Sequence, residues 1–269
     1  MTRIEQFGWR GAVEPGLGRV VSAHGDYYHL VCNEQPEGEI LARKKKSAFR
    51  DAVPPMTGDF VRFRHNPSGE SLVLEVLPRF SSFERKDPGA RRSSQTLAVN
   101  FDTLFIMMSL NENFSPPRLR RYLDLADGIG EADAVVVLTK ADLPSAAGVA
   151  TPCGLPRRVL RISCLTGEGM DDVRPYFAPG RTVALVGSSG VGKSTLMNAL
   201  AGEEVAATQE IQEWSGKGRH TTTSRELVML PCGAMALDTP GIREVGRVGE
   251  TEAVLAKGES THRWRKRGG

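Results

Sequence analysis

The sequence has few cysteines and little net charge for its 269 residues. The four cysteines are Cys32, Cys153, Cys164 and Cys232. They contain no CxxC pair, which argues against a disulfide framework and against a zinc knuckle. The formal net charge is +3, too small to establish nucleic-acid binding by itself. The basic residues are nevertheless unevenly placed, with one run at Lys44, Lys45 and Lys46 and another near the C-terminus.

Long hydrophobic runs are also absent. The longest apolar stretch, "TLFIMMSL", has the length of a strand, well short of a membrane span. The N-terminus, "MTRIEQFGWRG", has no apolar centre of the kind that a signal peptide needs. A content of 40% hydrophobic and 25% charged residues is ordinary for a globular protein, and the chain is long enough to bury a core without staples. We therefore expect a cytoplasmic protein with no membrane partner.

The first part of the sequence contains short β patterns separated by turn residues. "GRVVSAHGDYYHLVC" predicts two strands around a Gly25-Asp26 turn, and "GEILARK", "GDFVRFRH" and "SLVLEVLP" follow at short spacing. Five short strands within residues 1–80 predict a small barrel of the OB type, with an SH3-like barrel or a β-sandwich fragment as alternatives. The polar stretch at 81–94, rich in Arg and Ser, is interpreted as a linker.

The character of the sequence changes at Gln95. "TLFIMMSL", "AVVVLTK", "RVLRISC" and "TVALVGS" are continuous apolar runs, typical of strands buried on both faces of a parallel sheet. Helical segments are predicted between and after them, at "SPPRLRRYLDLADG", "GMDDVRPYFAPG" and "KSTLMNALAG". The alternation predicts a doubly wound α/β domain over residues 95–247.

A phosphate-binding loop is predicted at "GSSGVGKST", which lies between the strand "TVALV" and a helix. Its residues are Gly187, Ser188, Ser189, Gly190, Val191, Gly192, Lys193, Ser194 and Thr195. Backbone N–H groups and the helix N-terminus bind phosphate oxygens in such loops. Lys193 is expected to neutralise the β and γ phosphates, and the Ser194 hydroxyl is expected to bind Mg²⁺. The motif predicts a nucleoside triphosphate but does not identify the base.

The base is predicted by "TKAD", which comprises Thr139, Lys140, Ala141 and Asp142. A carboxylate at Asp142 can accept hydrogen bonds from both donors of guanine, a pair that adenine does not offer, and the aliphatic part of Lys140 can cover the base. The turn "SCL", Ser163, Cys164 and Leu165, is expected to line the base pocket. An ATPase or a small-molecule kinase is the alternative if the "TKAD" match is accidental.

Magnesium and hydrolysis residues are predicted after the phosphate loop. In "DTPG", Asp238 is expected to hold Mg²⁺ through water, and the Gly241 N–H is expected to contact the γ-phosphate. "GRHTTTSRE" is expected to supply a threonine, assigned to Thr222, to the metal. Ile242 follows the "DTPG" glycine and cannot orient an attacking water, so His220 is the candidate for that role.

The order of these motifs is unusual, because the base-reading turn precedes the phosphate loop. Ligands of α/β folds bind at the carboxyl ends of parallel strands, whatever order the chain visits them in, and chain ends that lie close together allow permutation. We therefore predict a circularly permuted P-loop GTPase domain preceded by an all-β OB-type barrel.

The motif order and the barrel together resemble the RsgA-type GTPases, which act in maturation of the small ribosomal subunit. The resemblance runs from the barrel through "SFERK", "AVNFD", "TKAD", "GSSGVGKST", "GRHTTTSRE" and "DTPGIRE". It implies GTP and GDP binding with Mg²⁺, GTP hydrolysis stimulated by the 30S subunit, and a barrel that contacts 16S rRNA. We expect a monomer. An RNA-binding assembly module that uses GTP only as a structural clamp is the alternative function.

One departure from the family pattern concerns residues 248–269. Family members continue after "DTPGIRE" into a Cys/His zinc module, whereas this basic tail has no cysteine. His262 alone cannot form a four-ligand site, so zinc is not expected.

Overall fold

The structure is a computed structural model that describes residues 1–45, 49, 52–86, 94–149, 157–202 and 225–239. The helices are α1 (Arg3–Gln6), α2 (Pro116–Ala126), α3 (Met170–Val173) and α4 (Lys193–Ala201). The strands are β1 (Leu17–His24), β2 (Tyr27–Cys32), β3 (Ile40–Lys44), β4 (Phe60–Arg64), β5 (Ser71–Val76), β6 (Ser82–Lys86), β7 (Ser94–Val99), β8 (Thr103–Ser109), β9 (Asp133–Thr139), β10 (Arg158–Arg161), β11 (Thr182–Gly187), β12 (Glu226–Met229) and β13 (Met235–Asp238).

The first five strands close into a barrel. They follow the order β1-β2-β3-β5-β4, and β4 pairs with β1 to complete the circle. The β3–β5 pairing is parallel, whereas the other pairings of the barrel are antiparallel. Buried residues alternate with exposed ones along β3, where Ile40 and Ala42 face the core and Leu41 faces out. The closed five-stranded arrangement confirms the OB-type prediction.

The α/β part contains six strands in the order β10-β9-β8-β11-β13-β12. All of them are parallel except β12, which pairs antiparallel with β13. Every residue of β8 and β11 is buried, as the continuous apolar runs predicted. β11 comes late in the chain but lies in the middle of the sheet, between β8 and β13. The carboxyl ends of these two parallel strands therefore lie on either side of the carboxyl end of β11.

Alternate residues of the central strands belong to two separate cores, one on each face of the sheet. Leu104 and Ile106 of β8 pack in the core that α2 covers, together with Leu119 of that helix. Phe105 of β8 packs in the other core, which includes Leu196 of α4. The segment "GMDDVRPYFAPG" also covers this second face, but only Met170–Val173 is α-helical and Arg174–Tyr176 continues as a 3-10 turn, because Pro175 has no N–H group to donate to the preceding helical turn.

The predicted linker at 81–94 contributes secondary structure. Residues Ser82–Lys86 form β6, which pairs antiparallel with Ser94–Val99 of β7. Phe83 is fully buried in the α2 core, and the Ser81 hydroxyl donates to the Phe101 carbonyl oxygen at 2.7 Å. A single buried aromatic residue in a polar stretch gives too weak a pattern to predict a strand. The domain limits themselves stay predictions.

The barrel and the α/β sheet are joined by main-chain pairing. β12 pairs antiparallel with β1 at Ser22 and Glu226, so that both parts belong to one continuous sheet. Next to this junction the Thr57 hydroxyl donates to the Arg225 carbonyl oxygen at 3.0 Å.

A buried arginine lies below the same junction. The guanidinium of Arg19, on β1, donates to the carbonyl oxygens of Phe7 at 2.5 Å and Asn100 at 2.7 Å. It also donates to the hydroxyl of Thr182, the first residue of β11, at 3.0 Å, and it stacks on the Phe60 ring at 4.7 Å. Burial lowers the pKa of Arg19 to about 9, which still leaves the group charged at neutral pH. One cation thus connects the N-terminal segment, the barrel and the α/β sheet.

In the part of the chain that the structure describes, no helix has both the length and the apolar character that a membrane span requires.

Replacing Arg19 with Met is expected to lower the free energy of unfolding by about 3 kcal/mol, because it leaves buried carbonyl oxygens without a donor. Guanidinium chloride denaturation followed by tryptophan fluorescence measures the change. Arg62→Met is the matched control, because Arg62 is exposed and its ion pair with Glu14 (2.8 Å) lies on the barrel surface. The control is expected to change stability by no more than about 0.5 kcal/mol. Equal effects of the two substitutions would contradict the role given to Arg19.

Candidate functional site

The phosphate loop connects the end of β11 at Gly187 to the start of α4 at Lys193. A Cβ on Gly187 would lie 2.7 Å from the Met107 carbonyl oxygen of β8, so this position accepts only glycine without a shift. Gly192 has a φ of 106°, a left-handed conformation that favours glycine, and it caps the helix. The first N–H groups of α4 have no partner within the helix, so the sheet edge presents a set of donors.

The side chain of Lys193 is buried within this loop, with 9% of its surface exposed. Its Nζ donates to the Gly187 carbonyl oxygen at 3.5 Å, a long bond that uses one of three donors. Burial lowers the pKa of Lys193, and the nearby carboxylate of Asp238 opposes that shift. A buried ammonium is costly unless it is paired, so the loop is arranged for an anion.

The base-reading turn contacts the phosphate loop directly. Thr139, the last residue of β9, is buried, and its hydroxyl donates to the Val191 carbonyl oxygen at 2.6 Å. The prediction placed Thr139 in the nucleotide site, and the structure gives its hydroxyl a role in holding the phosphate loop. The two motifs are therefore fixed relative to each other, although 52 residues separate them in the chain.

The turn that follows Thr139 has a strained backbone. Lys140 has a φ of 61°, which is uncommon for a residue other than glycine and occurs most often where function requires it. The Ala141 N–H donates to the Ile162 carbonyl oxygen at 3.0 Å, which ties this turn to the segment after β10. Asp142 is exposed beside that segment. Burial raises the pKa of Cys164, and the Asp142 carboxylate adds to the shift, so the two predicted base-site residues lie close together.

The turn at Ser163 to Leu165 is built around the Ser163 hydroxyl. This buried oxygen accepts hydrogen bonds from the N–H groups of Leu165 and Thr166, both at 3.2 Å. Its acceptor capacity is therefore used within the turn, and Cys164 is the half-buried member of the three. Leu165 is 84% exposed, which leaves a large apolar side chain at the rim of the site.

Asp238, at the end of β13, lies on the phosphate-loop side of the sheet. Burial raises its pKa, Lys193 opposes the shift, and Glu226 adds to it. Its Oδ1 is buried and has no hydrogen-bond partner among the described residues. The next residue, Thr239, donates from its hydroxyl to the Leu185 carbonyl oxygen of β11 at 2.7 Å. The unpaired carboxylate oxygen of Asp238, which interacts with Lys193, and the exposed Ser194 that follows Lys193 in α4 are oxygen ligands of the kind that Mg²⁺ prefers.

Three predicted residues, His220, Thr222 and Gly241, lie outside the described residues, as does the 248–269 tail. Their roles stay predictions, and so does the expectation about zinc. Sequence reasoning also missed two described residues of the site, Thr239 and Glu226. Thr239 stands inside "DTPG" and was available to the motif argument. Glu226 could be related to Asp238 only once the pairing of β12 with β13 was known.

The site geometry agrees with comparisons against known proteins. The family model described as RsgA GTPase matches residues 76–248. The chain belongs to the RsgA GTPase family. It is 40% identical over 251 residues to the small ribosomal subunit biogenesis GTPase RsgA 2 of Lactiplantibacillus plantarum, covering 89% of this chain and 70% of the relative. It is 41% identical over 250 residues to the small ribosomal subunit biogenesis GTPase RsgA of Opitutus terrae, covering 86% and 68%.

Solved structures with this fold include that of YjeQ from Thermotoga maritima. It matches with a TM-score of 0.59 and 22% identity, covering 84% of this chain and 74% of that one. YloQ, described as a circularly permuted GTPase, matches with a TM-score of 0.56 and 19% identity, covering 86% and 72%. Circular permutation of the GTPase domain is therefore confirmed, and this family member is a GTPase, as the motif order predicted.

Thr139→Val is expected to weaken GTP binding by about tenfold, because it leaves the buried Val191 carbonyl oxygen without its donor and loosens the phosphate loop. Titration with a fluorescent GTP analogue measures the affinity. Thr103→Val is the control, because Thr103 is also buried but lies at the start of β8, at the end of the strand pair that is farther from Thr139. This variant is expected to bind GTP like the unmodified protein. Unchanged affinity in Thr139→Val would show that the bond does not support the site.

Proposed function

We propose that this GTPase acts in the biogenesis of the small ribosomal subunit, where GTP binding and hydrolysis control its attachment to the particle. The observation that carries the proposal is the direct bond between the base-reading turn and the phosphate loop, which makes one guanine nucleotide site from the permuted motifs. Relatives that share at least 40% identity over most of this chain are named small ribosomal subunit biogenesis GTPases. The proposed compartment is the cytoplasm, and the proposed state in solution is a monomer.

Each side chain of the site has a proposed task. Asp142 binds the donors of guanine, and the stem of Lys140 covers the base. Cys164 and the backbone of the Ser163–Leu165 turn line the other side. Lys193 and the N–H groups of residues 187–195 bind the phosphates, which positions the γ-phosphate for attack and offsets the negative charge that develops. The proposed water-orienting residue is His220, and the Gly241 N–H is the proposed γ-phosphate contact.

Ser194, Thr222 and Asp238 are the proposed residues for Mg²⁺. When bound, the ion supplies positive charge between the β and γ phosphates. Asp238 is held for this task by the hydroxyl of its neighbour Thr239, which fixes the end of β13 against β11. Ser194 follows Lys193 in the first turn of α4, so one helix turn supplies the proposed residues for both phosphate and metal.

The barrel is the proposed contact with 16S rRNA. Its β2 and β3 strands present Tyr27, His29, Leu41 and Arg43 on the outer face, with Tyr27 directly opposite Arg43. An exposed aromatic ring beside an arginine suits a stacked base and its phosphate, and this face is the one OB barrels use for nucleic acids. Tyr27 is 45% exposed, which leaves enough of the ring free for stacking.

The lysine run at Lys44, Lys45 and Lys46 is partly built into the barrel. Lys44 is the last residue of β3, not part of a loop, and its Nζ pairs with Asp26 at 2.7 Å. Lys46 lies outside the described residues. Lys44 and Arg43 each have an acidic partner, with Glu70 at 3.4 Å from Arg43, so it is the exposed Tyr27 ring opposite Arg43 that favours the outer face as the contact.

Asp142→Asn is expected to weaken GTP binding by at least tenfold and to favour xanthosine triphosphate, because an amide N–H₂ replaces an acceptor that faces the guanine donors. Competition of unlabelled GTP, XTP and ATP against fluorescent GTP measures the preference. Asp124→Asn, an exposed change on α2, is the control and is expected to leave the preference unaltered. Equal affinity of the unmodified protein for GTP and ATP would overturn the guanine assignment.

Co-sedimentation with 30S particles tests the proposed partner. Binding with a non-hydrolysable GTP analogue is expected to exceed binding with GDP and to fall as salt rises, since Lys and Arg contacts to phosphate release counterions. Tyr27→Ala and Arg43→Ala are each expected to weaken pelleting by about tenfold. Arg62→Ala is the matched control, because it is also an exposed barrel arginine with one glutamate partner. Undiminished pelleting of both variants would remove this face from the contact.

Parallel single-turnover hydrolysis with and without particles separates a GTPase from a passive clamp.

A further inference from the structure

Two carboxylates lie directly opposite each other where β12 meets β13. Glu226, the first residue of β12, is the register partner of Asp238, the last residue of β13. Directly opposed residues of an antiparallel pair point to the same face of the sheet, with Cβ atoms about 4.5–5.5 Å apart. The Glu226 side chain therefore lies beside the aspartate of the proposed magnesium site.

This pairing is unfavourable as it stands. Like charges directly opposite each other destabilise a sheet, and acidic residues are depleted in strands. Both carboxylates are partly buried, which raises the pKa of each and adds a desolvation cost. The titratable groups that face the pair are Lys193 on the Asp238 side, and His24 and Glu39 of the barrel on the Glu226 side. Glu39 adds a further negative charge, and its own partner is His29 at 3.1 Å.

One carboxylate oxygen of Asp238 also lacks a hydrogen bond among the described residues. This oxygen, Oδ1, is buried, and the nearby ammonium of Lys193, which hydrogen-bonds to the Gly187 carbonyl oxygen, only partly offsets the cost of burying this carboxylate. Because the carboxylates of Glu226 and Asp238 repel each other, the binding of a cation near them stabilises this edge of the sheet. Mg²⁺ is commonly bound by one or two carboxylates together with phosphates, and it keeps several waters.

We propose that Glu226 is a second acidic residue of the magnesium site, which strengthens Mg²⁺ binding in the nucleotide complex by its charge and by holding Asp238 towards the metal. The inference rests on the proposed guanine nucleotide site. Glu226 acts through Asp238 and through water, so it is a positioning residue. Its neighbours in register are Ser22 of the barrel on one side and Asp238 on the other, which places this charge between the two parts of the molecule.

The proposal requires that one substitution stabilise the free protein and also reduce the stability gained from the ligands. Without nucleotide, Glu226 repels Asp238, so Glu226→Gln is expected to raise the melting temperature by about 1–3 °C. With Mg²⁺ and GDP bound, Glu226 contributes to ligand affinity, so the same variant is expected to gain less stability from the ligands. A residue with a merely structural role shifts the melting temperatures of the free and the loaded protein by similar amounts, which leaves the gain from the ligands unchanged.

Two measurements on the full chain test the proposal. Thermal unfolding is recorded without ligand and with GDP and Mg²⁺. Retention of a fluorescent GDP is then titrated with Mg²⁺, and the half-saturating concentration is expected to rise about tenfold in Glu226→Gln, as for other residues that support metal ligands. Glu226→Asp keeps the charge and is expected to stay close to the unmodified protein. Glu84→Gln, on β6 opposite Thr96, is the control for net charge and is expected to change neither quantity.

The outcomes separate this inference from the function on which it rests. Asp238→Asn is measured in parallel. If Asp238→Asn raises the Mg²⁺ requirement but Glu226→Gln does not, the role of Glu226 is overturned and the proposed function stands. If neither variant alters the requirement, the magnesium site itself is misassigned. Equal effects of Glu226→Gln and Glu226→Asp would mean that shape, not charge, matters, and would also overturn the role.

Discussion

The guanidinium of Arg19 holds together parts of the chain that are far apart in sequence. It binds main-chain oxygens from the N-terminal segment and from the strand connection at Asn100, and it reaches the first residue of β11. Because a buried cation must satisfy its donors, each of these segments is fixed in distance from the barrel. The phosphate loop stands at the other end of β11. The strand β11 thus holds the nucleotide site at a fixed distance from the barrel junction.

The second constraint is the shared edge of the parallel strands. The ends of β8, β9, β10, β11 and β13 meet there, and hydrogen bonds between turns, not neighbourhood in sequence, assemble the site. The Thr139 bond to Val191 and the Ala141 bond to Ile162 link three of these turns. This explains physically why permutation is tolerated, since chain order changes the connections at the edges while the bonds across the site persist.

The sequence predicted the parts of the molecule that follow from local pattern. The apolar runs predicted β8, β9 and β11, the glycine spacing predicted the loop before α4, and motif order predicted the permutation. Long-range contacts were beyond it. The strand at Ser82–Lys86 depends on the burial of Phe83 beneath α2, which no alternation in that polar stretch indicates. Lys44 ends the predicted strand "GEILARK", but its parallel pairing with β5 could not be predicted from that local pattern. Glu226 acquires its significance only from its register with Asp238.

The pairing of β12 with β1 bears on how the chain matures during synthesis. The barrel is made first, and β8 to β11 follow, but the two strands that fill the space between β11 and β1 are among the last residues that the structure describes. Until the ribosome has released residues 226–238, the flank of β11 that pairs with β13 and the edge of β1 at Ser22 lack these partners, although β4 already pairs with the start of β1. Exposed strand edges favour misassembly, so this interval is the one in which a chaperone would act, and the nucleotide pocket is completed only after β13 has been made.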